Sequence, residues 1–297
     1  MRILYAVLAI TILLFSISLA AEKPAGQPAD KPETAPCPPP PEAGKAPRYQ
    51  EVKVANPGTL SGRVSFSGKS TPVKWKVVKD NQFCGETVID ESLVVSAKGG
   101  LRFVVVSIDD IREGKPFPRV VKEMANQDCR YQPHVEALCQ CDKLMITNHD
   151  PILHNTHAYI GDKVFEPQKP VVTKDGLWMI AYVESSAPTT SAPTVAVTTL
   201  FNLGLPTQDF KPKKMMRQPG LLTLKCDAGH TWMTGFVWVK PHPYVTVTDA
   251  EGRYTLADIP AGEHTVTFWH ERLGTKQQKI LITQGQTATL DLSFALK

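Results

Sequence analysis

From Gln50 onward the chain is a succession of short runs rich in Val, Ile, Thr and aromatic residues, each closed by Gly, Asp, Asn or Pro. The runs are the segment beginning Gly62-Arg-Val-Ser-Phe-Ser, then Val73–Val78, Ser92–Ser96, Leu101–Ile108, Lys143–Thr147, Leu221–Lys225, Val237–Lys240, Tyr244–Thr248, His264–Phe268, Lys279–Thr283 and Thr287–Phe294. Several alternate apolar and polar residues, the period of a strand with one buried face. Such a pattern confines the chain to an all-β fold, and a pair of β-sandwiches is the natural architecture. The only expected helix is short, around Arg119–Ala125.

The first fifty residues do not fit this pattern. Arg2 precedes an apolar run from Ile3 to Ile17, and Ser18-Leu19-Ala20 supplies small residues where a signal peptidase cuts. The run is too short for a membrane span, so residues 1–20 are expected to be a signal peptide. No Cys stands at the junction to carry a lipid. Nine of the 25 Pro fall between Ala21 and Pro47, which makes residues 21–50 a Pro-rich linker that favours extended polyproline II. An exported chain is expected in the periplasm or outside the cell, where disulfides form. The formal charge of +4 is not gathered into a stripe, so a nucleic-acid partner is not expected.

The candidate chemistry lies in Leu221-Leu-Thr-Leu-Lys-Cys-Asp-Ala-Gly-His-Thr-Trp-Met233. An apolar strand delivers Cys226, His230 and Met233 into one tight loop, so thiolate, imidazole and thioether come together. Soft sulfur favours Cu(I), and imidazole accepts either oxidation state of copper. A second imidazole is required, and Asn148-His-Asp-Pro-Ile-Leu-His-Asn-Thr-His157 supplies candidates just after an expected strand. Against copper stands a plainer reading, in which Cys226 forms a disulfide and His230 is a loop residue.

These residues resemble the cupredoxins, the blue-copper β-sandwiches such as plastocyanin and azurin. The match runs through Asn148, Asp150 and His154-Asn155, then Cys226, His230 and Met233. The resemblance implies a Greek-key β-sandwich that binds one copper ion. His154, Cys226 and His230 would be equatorial ligands and Met233 a weak axial one, with Asn155 hydrogen-bonded across to the Cys loop. The Cys-x3-His-x2-Met spacing is also similar to the binuclear centre of cytochrome oxidase subunit II. That centre needs a Cys where this chain has Leu222, so one copper is the expectation.

Among the other histidines, His157 is three residues beyond His154 and points to the other face of a strand. His149 could substitute for His154, while His134 and His270 read as structural. Cys84 and Cys129, in turns flanking Leu101–Ile108, are expected to form a disulfide. Cys139 and Cys141 could make a separate Cu(I) site or pair elsewhere, including with Cys37, which otherwise reads as a free thiol in the linker.

The pattern Thr248-Asp-x-x-Gly-x-Tyr-x-Leu-x-Asp-Ile-Pro-Ala-Gly262 resembles carboxypeptidase regulatory-like domains, which are small transthyretin-like β-sandwiches. The expected organisation is therefore a cupredoxin-like domain over residues 51–240, with an insertion at about 163–198, and a regulatory-like β module over 241–297. About 55 residues are few for such a sandwich, and the early strands near Gly62–Val78 are expected to complete it or pack on it.

The functional expectation is an exported copper protein that transfers electrons to redox partner proteins, with no stable membrane insertion after signal cleavage. The alternatives are an extracytoplasmic binding or structural protein, contacting a glycan or protein through its C-terminal module, and copper storage or delivery. No nucleophile elbow, paired-carboxylate pattern or zinc-protease motif is present, so an enzyme is not expected.

Overall fold

The computed structural model describes residues 48–161, 198–296 and the backbone of two short strands, 171–172 and 178–179. The expected signal peptide, most of the linker with Cys37, and most of the 163–198 insertion lie outside the described residues. Within them the chain is all-β, as its strand pattern requires.

Two sheets surround the first core. One orders Lys213–Met215, Lys143–Asn148, Val121–Gln127 and Arg130–Gln132. The other orders Thr198–Leu205, His154–Ile160, Gly220–Lys225, Thr234–Lys240 and Val135–Cys139. Met124, Leu144 and Ile146 of the first pack with Ala158, Leu222, Leu224 and Val237 of the second.

The second core lies between two further sheets. Val245–Val247, Val105–Ile108, Gly262–His270 and Gly274–Ile282 form one of them. Gly58–Ser67 anchors the other, flanked by Arg253–Ile259 on one side and by Thr287–Thr289 and Leu292–Ala295 on the other. Leu60, Val64, Val106, Val266 and Phe268 fill the space between them. So the early segment that begins at Gly58 lies within the sandwich of the C-terminal strands.

A third cluster joins the two sandwiches. Leu221, Phe236, Val135 and Ala137, from the five-stranded sheet, meet Phe103, Val105 and Trp269. This seam explains why Leu221-Leu-Thr-Leu224 is buried at every position, where a strand facing water on one side would alternate.

The expected helix at Arg119–Ala125 is not formed. Val121–Gln127 is a strand, parallel to Lys143–Asn148. Its charged residues find partners on other strands: Lys122 Nζ donates to Glu136 Oε1 at 2.9 Å, and Thr147 Oγ1 donates to Glu123 Oε1 at 2.6 Å. Tertiary pairing outweighs local helix propensity here. The one described helix is the single turn Asn81–Cys84. Ser92–Ser96 contributes only an isolated bridge, and the Thr287–Phe294 run splits into two strands.

Asp249–Gly252 forms a tightly packed turn, closed by Gly252 N donating to the Asp249 carbonyl at 3.0 Å. Gly252 has φ +76°, and a Cβ there would lie 2.1 Å from the Val64 carbonyl oxygen, which accepts from Leu101 N. Gly252→Ala is expected to cost about 2 kcal/mol or more, through a disfavoured φ and a backbone clash. Chemical denaturation compared with the parent checks this.

Candidate metal centre

Strand register builds the site. His154–Ile160 pairs antiparallel with Gly220–Lys225, with His157 opposite Lys225. Cys226 follows directly, so the start of one strand meets the end of the other. Positions 154, 156, 158 and 160 face inward, which buries the His154 side chain completely and sends His157 to the other face. After Cys226 the chain reverses through Gly229, at φ +97°, and brings back His230, which is also fully buried.

These three side chains converge. The ligand atoms of His154, Cys226 and His230 all lie within 4.8 Å of one another. Cys226 Sγ is 3.5 Å from His230 Nδ1, and the two Nδ1 atoms are 3.1 Å apart. Both imidazoles are held from behind. His154 Nε2 lies 2.7 Å from Asp150 Oδ2, and His230 Nε2 lies 2.8 Å from Asp80 Oδ2. A carboxylate only accepts, so each Nε2 carries a proton and each Nδ1 turns toward the sulfur, donating to it when protonated and offering a lone pair when not.

The electrostatics follow from this packing. Burial opposes charge on Cys226, but hydrogen bonds from His154, His230 and the backbone amides of Asn155 and Ala228 outweigh it and bring the thiol down to about 6. Burial likewise works against charge on His154, yet Asp150 and Cys226 hold its imidazole above the ordinary 6.5. Two facing lone pairs beside a thiolate need a cation, and either a proton or a metal ion can fill that need. One thiolate and two imidazoles are donors suited to copper.

Asn155 clamps the Cys loop. Its backbone amide points at Cys226 Sγ at 3.4 Å, and its side-chain oxygen accepts from Asp227 N at 3.1 Å. Met233 is buried in the same core as Cys226 and Trp232, and its amide donates to the His230 carbonyl at 2.9 Å. Asn148 is a turn residue: its amide bonds the carbonyls of Ile152 and Leu205, and its side-chain oxygen accepts from Asp150 N.

The other candidates separate from the site. His149 is half-exposed and meets Glu123, while His157 bonds Asp227 and Thr199. His134 pairs with Glu271, and His270 is buried away from the centre. The Cys84–Cys129 disulfide is formed. A Cu(I) site from Cys139 and Cys141 is ruled out, because Cys141 is disulfide-bonded and offers no thiolate. Cys139 is a free thiol whose Sγ lies 3.0 Å from Asp142 Oδ2, and burial pushes its pKa up.

Asp80 went unseen in the sequence. It lies 150 residues from His230 and belongs to no recognisable motif. A pointer existed in the disulfide, since a Cys84–Cys129 bridge brings the residues just before Cys84 close to those around Cys129.

Residues 237–297 match the carboxypeptidase regulatory-like domain family. No curated protein sequence matches the chain. Similar solved structures include a purple cupredoxin from Nitrosopumilus maritimus, at 18% identity and TM-score 0.24, over 40% of this chain and 98% of that one. An auracyanin from Roseiflexus castenholzii aligns at 15% identity and TM-score 0.24, over 42% of this chain and 100% of that one. A Cu-containing nitrite reductase from Thermus scotoductus aligns at 15% identity and TM-score 0.22, over 44% of this chain and 24% of that one. Among the described residues no helix is long and apolar enough to cross a membrane.

Proposed function

We propose that this chain is an exported copper protein that passes single electrons through a mononuclear site of His154, Cys226, His230 and Met233. One observation carries the reading: two buried imidazoles, each tied through Nε2 to a carboxylate, turn Nδ1 toward one buried thiol. Bound there, copper would supply one-electron exchange between Cu(I) and Cu(II).

The residues around it act as a rigid mount. Asp150 and Asp80 fix the ring orientations, Asn155 fixes the Cys loop, and the core excludes water from the sulfur. Donors held this firmly move little between oxidation states, which favours electron exchange over chemistry on a substrate. Redox partners would be proteins of the same exported compartment. The regulatory-like module adds a second sandwich suited to surface or glycan contact.

The test is a titration of the purified protein with Cu(II), followed by visible absorption and metal analysis. One equivalent bound, with a visible thiolate-to-copper band, is the expected result. A protein that stays colourless and takes up no copper would sink the reading.

A further inference from the structure

We propose that the Cys84–Cys129 disulfide is a positioning element for this centre: it ties together the two carboxylates that aim the imidazoles. The inference rests on the copper reading above.

The tie follows from connectivity. The Asp80 carbonyl accepts from the amides of Phe83 and Cys84, each at 2.9 Å, so Asp80 and Cys84 stand at the two ends of one helical turn. On the other side, Asp150 Oδ1 accepts from Asp128 N at 2.8 Å and Oδ2 from Cys129 N at 2.9 Å. That same Oδ2 receives His154 Nε2. The bridge therefore closes a path from His230 through Asp80, Cys84, Cys129 and Asp150 to His154. Trp232, in the ligand loop, also donates to the Cys129 carbonyl at 3.0 Å.

The backbone along this path would not hold itself. Asp80, Asp128 and Cys129 have φ of 55°, 52° and 54°, in the left-handed region. Asp128-Cys129 forms the two-residue turn between Val121–Gln127 and Arg130–Gln132, a place that favours Asn-Gly or Asp-Gly. Without a Gly, such a turn persists where its surroundings hold it. Here the Asp150 carboxylate and the disulfide do so.

The double variant Cys84→Ala/Cys129→Ala tests this: it is expected to keep the thiolate band of the Co(II)-loaded protein but to bind Cu(II) at least about tenfold more weakly. In the metal-free protein, alkylation of Cys226, mapped by mass spectrometry, is expected to be at least about tenfold faster in the double variant, because sub-global opening exposes buried thiols. Cys139 serves as the folding control and should be unchanged. If Cys139 also accelerates, the double variant is misfolded, and Asp80→Ala decides in its place, with the same loss of affinity expected while the disulfide is intact. Unchanged affinity and alkylation in these variants would overturn the proposal. A wild-type protein that binds neither Cu(II) nor Co(II) would overturn the copper reading, and the alkylation rates would still judge the tether.

Discussion

Cys226→Ser is expected to abolish the visible band of the copper-loaded protein and to weaken copper binding by more than about 100-fold, beyond the 10–100-fold typical of losing an outer-shell partner. In free energy that exceeds about 2.7 kcal/mol. The reason lies in the donor set: Cys226 is its one thiolate, and a serine hydroxyl keeps its proton where the thiol, brought down to about 6, loses it. Fold stability should change far less, because a hydroxyl can still accept from Asn155 N, which reaches Sγ at 3.4 Å. Visible absorption and competition against a copper chelator, alongside a thermal melt of the metal-free protein, separate the two effects. A variant that keeps its colour would remove Cys226 from the centre.

Glu271→Ala is expected to destabilise the protein by about 3–5 kcal/mol, because it strips the partner from a buried histidine. Glu271 sits at the tip of the Gly262–His270 hairpin and pairs with His134, just before Val135–Cys139 of the first sandwich, with side-chain exposures of 12% and 7%. At roughly 2–4 °C per kcal/mol for a chain this size, the thermal midpoint should fall by on the order of 10 °C.

The pH dependence has two flanks. Burial works against charge on His134, but Glu271, with help from Glu91 and Asp90, holds it above 6.5. That contribution is complete below the unfolded pKa and fades as pH rises through the raised folded value. Burial also opposes charge on Glu271, but His134, His270 and Arg272 hold it below 4.5, so its contribution fades as pH falls through that lowered value. Lys225 also faces Glu271. Denaturation curves should show the gap between parent and variant widest between the two flanks and narrowing toward both acid and alkaline pH. A constant gap would mean that the pair's charge is irrelevant and packing alone was lost.

Local features were legible in the sequence. The Cys226–Met233 loop is one uninterrupted segment, so its chemistry survives in the spelling of the chain. His154 could be chosen over His149 and His157 because strand parity and a family pattern agreed. Strands of the second sandwich announced themselves through alternation, as in Thr287–Phe294. The hidden parts are those made by distant pairing. Asp80 meets His230 across 150 positions. Val121–Gln127 looked helical because Lys122 and Glu123 favour that state locally, and their strand partners, Glu136 and Thr147, lie elsewhere in the chain. Cys139 and Cys141 looked equivalent, and only the fold gives one a disulfide and the other a carboxylate neighbour.

The pairing of Gly58–Ser67 with Leu292–Ala295 also has a consequence for how the molecule comes into being. Val64 finds its neighbour Leu292 only 228 positions later, and the strands of the first sandwich fall inside that span. Contacts between such remote positions are slow to form, because a long loop must close before they yield any stability. As the chain is synthesised from its N-terminus, the second sandwich therefore stays open until its last strands arrive.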